Sequence, residues 1–99
     1  MTAELNNAQI RKLKGMAQKM DPTLKVGKNG LSPAFIQSVN QELDRHELVK
    51  IKFAEFKEQR KELAPQLAEK TRAYLVTLLG NVVVLYRANA QPDKQKIKF

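Results

Sequence analysis

The chain has 99 residues, enough for one domain with a modest core and too few for two. Its 42% hydrophobic content places it among globular rather than disordered chains, and the lack of cysteine excludes disulfides and thiolate metal sites. Lys and Arg number 18 against 10 Asp and Glu, a net charge of +8 that points to a polyanionic partner: nucleic acid first, an anionic membrane surface second, an acidic protein third.

Met1-Thr2-Ala3-Glu4 lacks the basic-then-apolar pattern of a signal peptide. With the lack of cysteine, this gives the expectation of a cytoplasmic protein. Asn6-Asn7 offers a cap for a first helix over about Ala8 to Met20, with Ile10, Leu13, Ala17 and Met20 forming one apolar stripe. Arg11, Lys12, Lys14, Gln18 and Lys19 lie mostly off that stripe. Solvated helix faces usually mix signs, yet no acid occurs between Asn6 and Met20. The basic face therefore reads as a phosphate-neutralising surface, a solvated face being the plain alternative.

Asp21-Pro22 ends that helix, because proline disfavours helical angles in the residue before it. Leu24 to Val26 reads as a short strand that runs into Gly27-Lys28-Asn29-Gly30. Glycines can take backbone angles closed to other residues, and asparagine tolerates left-handed angles. Ser32 is an N-cap, Pro33 fits the first helical position, and Leu31 and Ile36 are spaced as a hydrophobic staple. A bare loop at a helix N-terminus presents amide N–H groups beside the positive end of the helix dipole, where a phosphate can sit. Lys25 and Lys28 add charge there with no acidic neighbour. Such glycines also turn a strand into a helix with no ligand involved, and Gly-x-x-Gly alone is short and common.

The second helix is expected from about Pro33 to Asp44, with Phe35, Ile36, Val39 and Leu43 inward. Its other face carries acids and no base, and should point away from RNA. Arg45-His46-Glu47 connects to a second strand, Leu48 to Phe53, where Val49, Ile51 and Phe53 alternate with Lys50 and Lys52. A third helix is expected over roughly Lys57 to Thr71, with Leu63 and Leu67 inward and Ala64 and Ala68 as further candidates. Pro65 kinks it unless its regular part begins near Lys61. Ala73 to Leu79 and Val82 to Arg87 flank Gly80-Asn81 and read as a β-hairpin. Thr77 and Gly80-Asn81 also break this apolar region short of the roughly 18 residues a membrane-spanning helix needs. Residues 88–99 are polar and basic, either a frayed tail or, through Lys94, Lys96 and Lys98, extra charge for a bound backbone.

The order α-β-α-β-α-β-β predicts the α/β class: a single compact domain with a four-stranded mixed sheet packed with helices. Catalytic chemistry is not signalled. His46 is the only histidine, no Ser-His-Asp set stands in a recognisable motif, and no cluster suggests a metal. Gly-Lys-Asn-Gly lacks the length and the Gly-Lys-Ser/Thr ending of a nucleotidase phosphate loop, and the third glycine of a dinucleotide fingerprint. Phe35, Phe53, Tyr74 and Tyr86 fall within predicted elements, with no aromatic pair on an exposed strand, so a stacking sheet platform is not signalled and backbone recognition is favoured.

Taken in order, Gln9, Leu13, Ala17, Pro22, Val26-Gly27-Lys28-Asn29-Gly30-Leu31, His46-Glu47-Leu48-Val49-Lys50, Thr71, Ala73, Gly80 and Leu85-Tyr86-Arg87 form a pattern to about Arg87. This pattern resembles the CRM domain, named for chloroplast RNA splicing and ribosome maturation, and in particular its free-standing bacterial YhbY-type members. The resemblance implies a non-enzymatic RNA-binding protein. It implies a fold of an N-terminal helix and a domain like the C-terminal domain of a bacterial translation initiation factor. Its loop is similar to the backbone-clamping loop of KH domains. Single-domain bacterial members associate with precursors of the large ribosomal subunit, and plant relatives assist group II intron splicing. The loop role falls on Gly27, Lys28, Asn29 and Gly30. The basic surface is assigned by charge to Arg11, Lys12, Lys14, Lys25, Lys50 and Lys52. Pro65 and the tail after Arg87 depart from the pattern.

The expectation is then one domain over residues 1–99, with 1–6 and 88–99 as flexible or loosely attached ends. It is a monomer that binds ribosomal RNA in large-subunit precursors and assists ribosome assembly, with no metal, cofactor, membrane or small-molecule substrate. The main rival is a protein-interaction factor whose basic face meets an acidic ribosomal or regulatory partner.

Overall fold

The computed structural model describes residues 5–97. The readings made on Met1 to Glu4 and on Lys98 lie outside them. Helix α1 (Asn7–Gln18) starts in a capping box: Gln9 N donates to Asn6 Oδ1 at 2.8 Å, and Asn6 N donates to Gln9 Oε1 at 3.0 Å. It ends earlier than Met20, because the Lys19 and Met20 amides turn back to the Met16 and Ala17 carbonyls.

The strands are β1 (Leu24–Val26), β2 (Leu48–Phe53), β3 (Tyr74–Leu79) and β4 (Val82–Tyr86). They form one mixed sheet in the order β1-β2-β4-β3. β1 runs parallel to β2, and the other pairs are antiparallel. The parallel pair needs a crossover, which α2 (Pro33–His46) supplies. Gly80 has φ 59° at the first position of the β3–β4 turn, a conformation that favours glycine.

Each sheet face has its own core. On one, α2 and α3 (Arg60–Thr71) cover Val26, Val49, Ile51, Phe53, Val83 and Leu85. On the other, Leu13 and Ala17 of α1 meet Leu48, Val76, Val84 and Tyr86. The period-two alternation in β2 divides its side chains between these faces. Burying each large side chain contributes about 1.5–3 kcal/mol. Burial, and secondly the Glu47 carboxylate, raise the Tyr86 phenol above its usual pKa.

Two expectations change. The third helix splits into a 3-10 turn (Lys57–Gln59) and α3, which begins at Arg60 and holds Pro65 exposed in its second turn. Residues 88–97, expected to be loosely attached, are tied to Glu47. This residue leaves α2 with φ 64° and is 1% exposed. Its Oε2 accepts from Asn89 N at 2.7 Å, its Oε1 from Lys96 N at 2.6 Å and Ile97 N at 2.9 Å, and its carbonyl from Arg87 N at 2.9 Å. Ile97 is thereby buried in the α1-side core.

Candidate nucleic-acid interface

The interface is built where β1 ends at the sheet edge. Val26 is buried, and the chain then emerges as exposed Gly27, Lys28 and Asn29. Gly30 N closes the turn on Gly27 O at 3.0 Å. Gly30 takes φ 60°, whereas Gly27 has no positive φ and a Cβ there would meet nothing within 4 Å. Conformation thus demands glycine at position 30 only. Asn29 does not use the left-handed region either. Ser32 caps α2 by accepting from Phe35 N at 3.2 Å, and Pro33 carries no N–H to be satisfied. Among the described residues, the Lys28, Asn29 and Leu31 amides have no acceptor. They stand beside the positive end of α2, an arrangement that suits an anion.

Lys25 and Lys52 are register partners in the β1–β2 ladder and are both exposed, so two cations lie side by side next to the loop. They share the α1 side of the sheet with Arg11, Lys12 and Lys14, which are exposed on α1. Lys14 lines a cleft of about 330 Å³ with Gln18, Leu79 and Val82 near the hairpin turn. The acids of α2 lie over the opposite face. There Asp44 pairs with Arg87 at 2.8 Å and Glu42 approaches His46 at 3.4 Å.

Lys50 does not join the exposed set. Its ammonium donates to the Ala17 and Met20 carbonyls at 3.1 and 3.0 Å, closing the C-terminal end of α1. Alternation along β2 puts lysines on that face, but α1 lies across it and leaves only Lys52 open. Arg87 is structural too: its guanidinium donates to Asn40, Thr71 O and Asp44, joining α2, α3 and the end of β4.

From the sequence, Phe56 reads only as the start of a loop to about Glu58. It lies between β2 and the 3-10 turn in the left-handed region (φ 56°, ψ 34°) and is 40% exposed. Its ring rests on Gly30, with Cε2 at 3.4 Å from where a Cβ would stand. No local pattern carries this proximity, because the two residues meet only once β1 and β2 have paired.

This loop, its cap and the basic residues around it lie within a stretch, residues 5–87, that matches the CRS1/YhbY (CRM) domain model. The chain belongs to the CRS1/YhbY (CRM) domain family. It is 32% identical over 92 residues to an RNA-binding protein of Haemophilus influenzae, covering 92% of this chain and 93% of that one. It is 31% identical over 91 residues to a probable RNA-binding protein of Pseudomonas aeruginosa, with 91% and 88% covered. The fold matches the solution structure of a hypothetical Staphylococcus aureus protein proposed to bind RNA, with a TM-score of 0.76 and 31% identity over 96% of this chain and 100% of that one. The CRM fold expected from the sequence is therefore the fold observed.

Proposed function

We propose that this protein is a monomeric, non-catalytic RNA-binding module. It holds backbone phosphates at residues 27–30 and extends its footprint through Lys25, Lys52, Arg11, Lys12 and Lys14. The observation that carries the reading is the loop itself: amides without acceptors at a capped helix N-terminus, with exposed Lys25, Lys28 and Lys52 in and beside the loop. The relatives named as RNA-binding proteins support the choice of RNA among polyanions. The resemblance to YhbY-type proteins supports ribosomal RNA in large-subunit precursors as the target and a role in ribosome assembly, and the lack of cysteine fits a cytoplasmic location.

The test uses Gly27, where a side chain meets open space in the protein alone. Gly27→Asp should fold as the wild type does and lose tenfold or more in affinity for ribosomal RNA fragments, because a carboxylate then stands where the phosphate must approach. Unchanged affinity in the folded variant would remove the loop from the interface.

A further inference from the structure

We infer that Phe56 is the base-stacking platform of this loop, so that the nucleotide gripped by residues 27–30 is unpaired. The inference rests on the phosphate-loop reading above and assigns to it a second contact and a class of RNA.

Phe56 and Leu79 are the large hydrophobic side chains left exposed among the described residues, and Phe56 lies against the loop. Its ring atoms Cε2, Cζ and Cδ2 fall 3.4, 3.7 and 3.9 Å from the Cβ position of Gly30. Gly30 therefore supports one side of the ring, and Phe56 keeps 40% of its surface exposed. The placement is held from both ends. Ala54 N and Glu55 N both donate to Val26 O, at 3.2 and 3.0 Å, which binds this segment to the strand entering the loop. Gln59 N donates to Phe56 O at 3.1 Å, which fixes the turn beyond.

A left-handed conformation is costly for any residue with a Cβ, and Phe56 adopts it while remaining 40% exposed. The ring itself carries no charge, and Phe56 stands in sequence between exposed Glu55 and exposed Lys57, whose charges offset each other. The division of labour follows: charge is taken at Lys28 and the loop amides, and an uncharged aromatic base lies on Phe56. In an A-form duplex the bases are already stacked on one another, so only a loop, bulge or single strand can offer one.

The chain contains no tryptophan, so Phe56→Trp creates a single reporter at the platform. Titration with a single-stranded RNA oligonucleotide should quench its emission, and titration with inorganic polyphosphate should not. Phe56→Leu, which keeps an apolar cover on Gly30, should lose about fivefold or more in affinity for the single strand. Its salt dependence should not change, because no charge is removed. A duplex of the same sequence should bind wild type more weakly than the single strand does. Affinity unchanged in Phe56→Leu, with no quenching in Phe56→Trp, would overturn the platform while leaving the loop reading intact if Gly27→Asp still loses tenfold or more in affinity. Loss of neither contact would overturn both.

Discussion

The two loop glycines should respond oppositely to a single methyl group. At Gly30 the backbone holds φ 60°, and a left-handed angle costs a residue with a Cβ about 1–2 kcal/mol. The added carbon would meet the Phe56 ring at 3.4 Å, an ordinary van der Waals contact, so the cost lies in the backbone angle. For a domain of this size, each kcal/mol lowers the melting temperature by roughly 4–8 °C. Gly30→Ala should therefore melt about 4–16 °C below wild type. Gly27 has no positive φ and open space around its Cβ position. Gly27→Ala should hold or gain stability, by up to about 1 kcal/mol, because alanine narrows the unfolded ensemble. Thermal unfolding followed by circular dichroism reads both variants. Equal losses, or a neutral Gly30→Ala, would refute the reasoning. The contrast also decides which glycine can probe RNA: an effect at position 27 comes from the ligand, whereas one at position 30 mixes ligand with strain.

Replacing Glu47 with alanine should release residues 88–97, since three backbone N–H groups lose one carboxylate. The expected cost is about 3 kcal/mol, with faster hydrogen exchange at the Asn89, Lys96 and Ile97 amides; unchanged protection would contradict the clip. Lys50→Met should lower stability by about 1–3 kcal/mol in denaturant unfolding while leaving the salt slope of RNA binding intact, because its ammonium serves the Ala17 and Met20 carbonyls. The Tyr86 phenol has its pKa raised in the fold, so its contribution is complete below the usual value of 10.0 and is lost as pH climbs through the raised one. The unfolding free energy measured across the alkaline range should then fall less steeply in Tyr86→Phe than in wild type.

Much of the fold was legible because it is local. The bounds of β1 and β2, the Asn6 and Ser32 caps and the Gly80-Asn81 turn each follow from a few neighbouring residues. The loop was legible for the same reason, since strand, glycines, cap and proline occupy one continuous stretch. What was hidden depends on contacts distant in the chain. Lys50 looked like an exposed strand lysine until α1, about 30 residues earlier, was laid across it. Glu47 looked like a turn residue, and the partners of its carboxylate lie 42 to 50 residues away. Phe56 followed no periodicity, and its meaning comes from pairing β1 with β2.

The central claim is that the loop lysine meets RNA phosphate, and a salt series tests it most directly. Affinity for ribosomal RNA fragments would be measured across salt concentrations for wild type and Lys28→Ala. With the loop and its neighbouring cations engaged, log affinity should fall against log salt with a slope of about −4 to −5 for wild type. Lys28→Ala should bind more weakly, with a slope shallower by about 0.7 to 0.9, one phosphate contact fewer. Identical affinities and slopes in the two folded proteins would contradict the account.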